Sequence, residues 1–260
     1  MPQNFDKMRI IIITQDEPFY LSKNLNSLLS RLPENHKIVG AIVSNVSPFG
    51  KKEGFIKKAI KTKRIFGYRF FIHYSLRFIR AKFFQQSVTQ ILSKYGVKKL
   101  KIQGSLNSVE NLDVIKSFNP DLLVSILGNQ IFKEPLINIA PKGCINLHTA
   151  LLPKYRGLMP TFWVLRNNER YTGVSVFFVD KGIDSGPIIV QEKVEIGNKT
   201  QQELIQETKQ IGMNLILKSI DLISKDKLNL IDNPESEKSY FSFPTSEDVK
   251  EFKRIGKKFF

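Results

Sequence analysis

The stretch from Arg9 to Ser44 constrains the fold of this chain more than any other. Arg9-Ile-Ile-Ile-Ile-Thr14 is a continuous β-branched run, and a strand apolar on both faces belongs inside a parallel sheet with helices covering each side. Phe19, Leu21, Leu25, Leu28 and Leu29 then recur at helical spacing until Leu32-Pro33, where proline ends the run. Lys37-Ile-Val-Gly-Ala-Ile-Val-Ser44 supplies the next strand, so the chain opens as a right-handed βαβ unit. No Gly-x-Gly-x-x-Gly lies between Thr14 and Phe19, which disfavours a nicotinamide cofactor.

The rest of the chain continues the alternation. The pattern predicts a helix over 86–95, a short strand over 97–102, a helix from Ser108 to Phe118, and a buried strand over 121–127. A loop follows over 128–132, then a short helix over 135–139. Strands are expected over 172–179 and 187–194, with a helix from Pro160 to Arg166 before them, Trp163 turned inward. Thr200, with Glu203 three residues on, opens a long helix as a capping box. The tail from Ser224 to Phe260 shows a short strand at 240–243 and a basic helix after Thr245. The expected architecture is α/β, a Rossmann-like doubly wound and mostly parallel sheet. Its division is 1–205 as the core and 206–260 as a C-terminal helix and extension, which suits a chain of 260 residues with one sizeable core.

Charge and cysteine content narrow the setting. The single cysteine, Cys144, excludes an internal disulfide and fits a reducing compartment; on an apolar strand it reads as a small core residue, not a nucleophile. Met1 to Met8 carries no basic lead and no long apolar run, so no signal peptide or membrane span is expected, and the location is cytoplasmic. The net charge of +16 calls for an anionic partner. Eleven lysines and arginines stand against one acid, Glu53, in the insert 51–84, with aromatics interleaved. On one helix Arg69, His73, Arg77 and Arg80 share a side. Three readings of the insert stay open: a solvated helix packing its aromatics on the core, a peripheral membrane helix over 63–82, or a nucleic-acid or polyphosphate patch.

Polar chemistry concentrates between Gly143 and Gly186. Alternation along Cys144-Ile-Asn-Leu-His148 sends Asn146 and His148 to one face at the C-terminal end of a strand, where open α/β sheets place their ligands. Asp184 follows the run 174–179 on a glycine-flanked loop, so an amide, an imidazole and a carboxylate converge on one sheet edge. Taken alone, Asn-x-His is also what a capped strand end with a hydrogen-bonded histidine looks like.

The whole series adds more. Asn146-Leu-His148, Leu152-Pro with Arg156-Gly157, Thr172-Gly173 and Asp184-Ser-Gly186 together resemble the signature of the formyltransferases that use 10-formyltetrahydrofolate. These include the methionyl-tRNA, glycinamide-ribonucleotide and sugar-nucleotide enzymes. The resemblance covers about residues 8–205. It implies formyl transfer to an amine with no metal. Asn146 would donate to the formyl oxygen, His148 would stabilise that oxygen or take the amine proton, and Asp184 would orient the imidazole and relay protons through water. It further implies that Gly128, Asn129, Gln130, Ile131 and Phe132 form one wall of the folate pocket, with Val179, Asp180, Lys181, Gly182 and Ile183 as the other. Asp180 reads mainly as a loop-stabilising residue. Arg156 is the candidate for an anionic acceptor's phosphate, its alternative being a structural salt bridge.

The acceptor expected from this resemblance is a nucleotide-linked amino sugar. Methionyl-tRNA is the alternative, for which the segment after Ser224 is short of the barrel that family carries there. A hydrolase of the same donor is disfavoured because its relatives carry a domain before the first strand. A reading of another class is a basic binding protein on a retired catalytic scaffold, against which the intact Asn146, His148 and Asp184 speak.

Overall fold

The computed structural model describes residues 7–45, 54–128 and 130–260. Among them lie eight strands: β1 (Arg9–Gln15), β2 (Lys37–Ser44), β3 (Leu122–Ile126), β4 (Cys144–His148), β5 (Arg156–Gly157), β6 (Tyr171–Phe178), β7 (Ile188–Glu195) and β8 (Tyr240–Phe241). Six form one sheet in the order β2-β1-β3-β4-β6-β7, and β5 pairs with β8 in a second. β2, β1, β3 and β4 are mutually parallel, β6 runs antiparallel to β4, and β7 antiparallel to β6. The chain winds from β1 outward to β2, then reverses to β3, which puts the switch point beside β1 and β3.

The isoleucine run shows why the sheet is buried on both sides. Ile10 and Ile12 pack with α1 (Leu21–Ser30), α4 (Val88–Lys94) and α8 (Gln201–Ser224). Ile11 and Ile13 point the other way, to α5 (Val109–Lys116) and α6 (Glu134–Ile137). Period-two alternation thus feeds two cores from one apolar strand. α8 carries the predicted capping box between Thr200 and Glu203, and Gly212 lets it approach β4, since a Cβ there would stand 2.7 Å from Leu147.

Several elements differ from expectation. Residues 97–102 form no strand; a single bridge joins Lys99 to Ala41, because Leu100 inserts its side chain over Gly40 and docks the segment without a ladder. The tail strand is two residues long. A division at 205/206 falls inside α8, which runs from Gln201 to Ser224 and packs on the main sheet from Met213 onward.

The basic insert is two helices, α2 (Phe55–Phe66) and α3 (Tyr68–Phe84), broken at Gly67, whose φ of +89° suits glycine alone. Phe66 and Phe70 enter an apolar cluster with Phe162 and Trp163 of α7 (Pro160–Arg166) and with Val249 and Phe252 of α9 (Ser246–Arg254). Lys253 of α9 donates to the Phe66 carbonyl at 2.9 Å, a cation at a helix C-terminus. Arg77 turns inward, lying over Phe19 and Tyr20 and donating to the Tyr20 hydroxyl at 2.8 Å and to Gln202 at 3.0 Å. His73 stacks on Phe260. The side expected to gather Arg69, His73, Arg77 and Arg80 therefore divides: the middle two contact protein, while Arg69 and Arg80 stay exposed. The first reading of the insert, aromatics packed on the core, holds for Phe66 and Phe70. Lys51, Lys52 and Glu53 lie outside the described residues.

Burial also fixes an alkaline limit. It pushes the Cys144 thiol up to about 12, and the Tyr155 phenol to the same value, there with help from a hydrogen bond to Glu169. The folded state keeps protons that the unfolded chain sheds above its ordinary values of 9.0 and 10.0, so stability falls as pH rises from about 9 towards 12. Melting temperatures measured in that range should decline steadily, and a flat profile would contradict the burial of these groups.

Candidate active site

β4 delivers Asn146 and His148 to one face, two residues apart, and the loop after β4 determines what surrounds them. His148 is buried. Its Nε2 lies 2.7 Å from the Tyr155 carbonyl, and since a carbonyl only accepts, Nε2–H donates. Nδ1 then faces Asp184, whose Oδ2 is 3.6 Å away. That is just beyond hydrogen-bond length, and with the proton on Nε2 neither Nδ1 nor the carboxylate has a hydrogen to give, so only a group donating to both, such as a water, bridges them. Asp184 Oδ2 also accepts from the Gly157 amide at 2.8 Å. Asn146 has a buried amide oxygen with no hydrogen-bond partner. An orphan of this kind costs about 1–3 kcal/mol unless something fills it.

Asp184 reaches His148 by a route that the sequence conceals. β6 is antiparallel to β4, with Phe178 opposite Ile145 and Ser175 opposite His148. The exit of β6 therefore lies at the far end of β4, and the loop after Phe178 doubles back to carry Asp184 home. Gly186 permits the turn, since a Cβ there would sit 1.8 Å from the Phe178 carbonyl oxygen. Asp180 holds the loop internally, accepting from the Gly182 amide at 3.0 Å and from the Ser185 hydroxyl. Asp184 itself adopts a φ of +50°, a conformation that aspartate tolerates better than most residues.

What secures that loop is the tail. Asn233 Nδ2 donates to the carbonyls of Asp184 and Gly186, both at 2.9 Å. Its own carbonyl and side-chain oxygen accept from Arg156 at 3.1 and 2.9 Å. Arg156 also pairs with Glu235, so its side chain is only 3% exposed and engaged by the tail. The structure gives this arginine the salt bridge that was the alternative to an acceptor contact. Ser239 accepts from the Tyr155 amide at 2.8 Å, and β8 pairs with β5 immediately beyond. Below the same loop, the Ser175 hydroxyl donates to Ala150 O at 2.7 Å and receives bonds from the Leu152 amide and from Gln191.

Asn233, Ser239, Ser175 and Gln191 were not singled out from the sequence. Ser175 carried a usable signal, a hydroxyl at a wholly buried position between Val174 and Val176. The tail residues carried none, because their role exists only after the tail has folded back.

Of the two loops expected to hold the donor, 179–183 contacts the helix that follows 128–132 and the strand β4. Lys181 pairs with Glu134 of α6 at 2.8 Å, and the Val179 amide donates to Cys144 O at 2.7 Å. Gly128 follows β3 and presses on Ser125. Gln130 accepts from the Leu106 amide at 2.9 Å, and Phe132 is buried on the α5 and α6 side. Ile131 and Ile183 are 68% and 46% exposed, one uncovered apolar side chain on each of the two segments. Asn129 lies outside the described residues. No cluster of His, Cys, Asp or Glu suited to a metal occurs among those described, and no helix among them is long and apolar enough to cross a membrane.

A methionyl-tRNA formyltransferase from Alkaliphilus oremlandii is 36% identical over 210 residues, 80% of this chain and 58% of that protein. Another from Kosmotoga olearia is 32% identical over 163 residues, 62% of this chain and 52% of that protein. The chain thus spans little more than half the length of these relatives. Among solved structures, a phosphoribosylglycinamide formyltransferase from Anaplasma phagocytophilum superposes with a TM-score of 0.63 at 17% identity, covering 92% of this chain and all of that one. An N-formyltransferase from Helicobacter canadensis, solved with folinic acid and dTDP-3-aminofucose, gives 0.58 at 18% identity, covering 94% and 79%. These two share the fold. The Formyl transferase family itself matches residues 8–220, from β1 into α8 and through Asn146, His148 and Asp184, and on that match this chain belongs to it.

Proposed function

We propose that this protein transfers a formyl group from 10-formyltetrahydrofolate to the primary amine of a nucleotide-linked amino sugar. The observation that carries the transfer is the orphaned Asn146 amide beside the His148–Asp184 pair. The residues present fit the donor: the exposed Ile131 and Ile183 offer apolar walls to a flat heterocycle. Bound between 128–132 and 179–184, the folate supplies an activated formyl group. Asn146 Oδ1 accepts from the incoming amine and holds it, while its NH2 donates to the formyl oxygen as negative charge gathers there. Nδ1 of His148 takes the amine proton, Asp184 stabilises the imidazolium that results, and the proton passes on to the folate nitrogen as its bond to the formyl carbon breaks and tetrahydrofolate leaves. Tyr155 O fixes the ring by its bond to Nε2. With Arg156 committed to the tail, Lys154 is the exposed cation of this loop and the phosphate contact we assign.

The sugar-nucleotide acceptor is supported by the shared fold with the Helicobacter canadensis N-formyltransferase, solved with dTDP-3-aminofucose. Methionyl-tRNA is the second reading, favoured by the 36% identity over 210 residues. The test offers purified protein and formyl donor a panel of dTDP- and UDP-amino sugars, and separately charged initiator tRNA. Formylation of a sugar nucleotide is the expected result. Formylation of the tRNA alone, falling steeply with salt, replaces the acceptor but keeps the reaction. A stable folate analogue should also raise the melting temperature, and no shift with a saturating analogue would sink the reaction as well.

A further inference from the structure

The face of α2 and α3 turned away from the core is apolar where a solvated helix would be polar. On α3, Tyr68, Ile72, Leu76, Ile79 and Phe83 fall within about 80° of arc at ~100° per residue, and their exposures run from 40% to 76%. Phe84 beside them is 83% exposed. On α2 the same holds for Ile56 and Ile60, at 75% and 63%. Cations flank both stripes: Lys57, Lys63 and Arg64 on α2, with Arg69, Arg80 and Lys82 on α3, all exposed. From Gly54 to Phe84 the sequence contains no acid. The opposite face of α3 is already occupied, by Phe70, Tyr74 and Arg77 against Phe19, Tyr20 and Phe259.

We infer that this face docks on an anionic lipid surface, with the apolar arc of α2 and α3 entering the headgroup layer and the flanking cations meeting the lipid phosphates. The chemistry selects this partner. A second copy of the chain would set an acid-free basic face against its own like, which repels. A nucleic acid would match the charge but not the aliphatic arc, because Ile72, Leu76 and Ile79 offer no ring for a base to stack on. Acyl chains take up aliphatic and aromatic side chains alike, and the pattern of basic flanks around an apolar stripe is that of a helix lying in the interface plane. The bonds given for His148 and Asp184 involve no residue of this face, so it adds a location to the protein beside its chemistry.

Flotation with vesicles tests this directly. The whole protein should bind vesicles of phosphatidylcholine mixed with phosphatidylglycerol in equal parts, and leave those of phosphatidylcholine alone nearly bare. Leu76→Ser with Phe83→Ser should lower the partition coefficient about tenfold or more. Neutralising Arg69 and Arg80 together should lower it roughly 25-fold, about fivefold for each cation. Both variants alter exposed positions, so unchanged melting temperatures verify that the fold survives. Equal binding to both vesicle types, or anionic binding untouched by Leu76→Ser with Phe83→Ser, overturns the proposal. So does binding of single-stranded nucleic acid without vesicle binding, or a concentration-dependent dimer that these substitutions abolish.

Discussion

Asn146→Ala should lower turnover about 100- to 1000-fold while leaving the melting temperature unchanged or slightly raised. The first figure is what a preorganised oxyanion donor is worth. The second follows because Asn146 already lacks a partner for its buried oxygen, so its removal deletes an unsatisfied group. His148→Ala and Asp184→Ala should each be similarly slow, and the double variant little slower than the worse single. Asp184 acts only through the imidazole it faces at 3.6 Å, and groups that act as a unit lose their effect once. Steady-state kinetics on all four proteins decides it. A loss below tenfold for Asn146→Ala removes the oxyanion role, and full additivity of His148 and Asp184 removes their partnership.

Phe252→Ala is expected to destabilise the protein by about 3–5 kcal/mol, roughly 10 °C in melting temperature. Phe252 is fully buried, stacked between Phe162 at 5.1 Å and Phe259 at 4.5 Å between ring centroids. The cluster it belongs to joins α2, α7, α9 and the start of α8, so the cavity would open where the basic insert, the tail and the loop after β4 share a core. Thermal unfolding measures the loss. A change under about 1 kcal/mol would mean that the tail is a loosely held appendage, which would also weaken the case that Asn233 holds the Asp184 loop.

The sequence by itself determined the sheet and the identity of the reacting groups. Four isoleucines in a row admit burial on both faces only, and period-two alternation puts Asn146 and His148 on one face whatever surrounds them. The capping boxes at Thr200 and Thr245 mark their helices locally, through side-chain bonds to amides three residues away.

Tertiary structure decided everything that depends on partners far along the chain. Arg156 reads equally as a phosphate contact or a structural salt bridge until Asn233 and Glu235 fold back across nearly eighty residues and bury it. Asp184 reads as lying at the near end of a strand until the antiparallel pairing of β6 with β4 is known. The insert reads as one amphipathic helix until Phe66 and Phe70 find Phe252 and Phe259, after which the apolar arc left over faces outward. Local pattern records which face a residue takes on its own element. It carries no record of which distant element will cover that face, because hydrophobic burial is non-directional and long-range contacts are chosen by the packing of the whole.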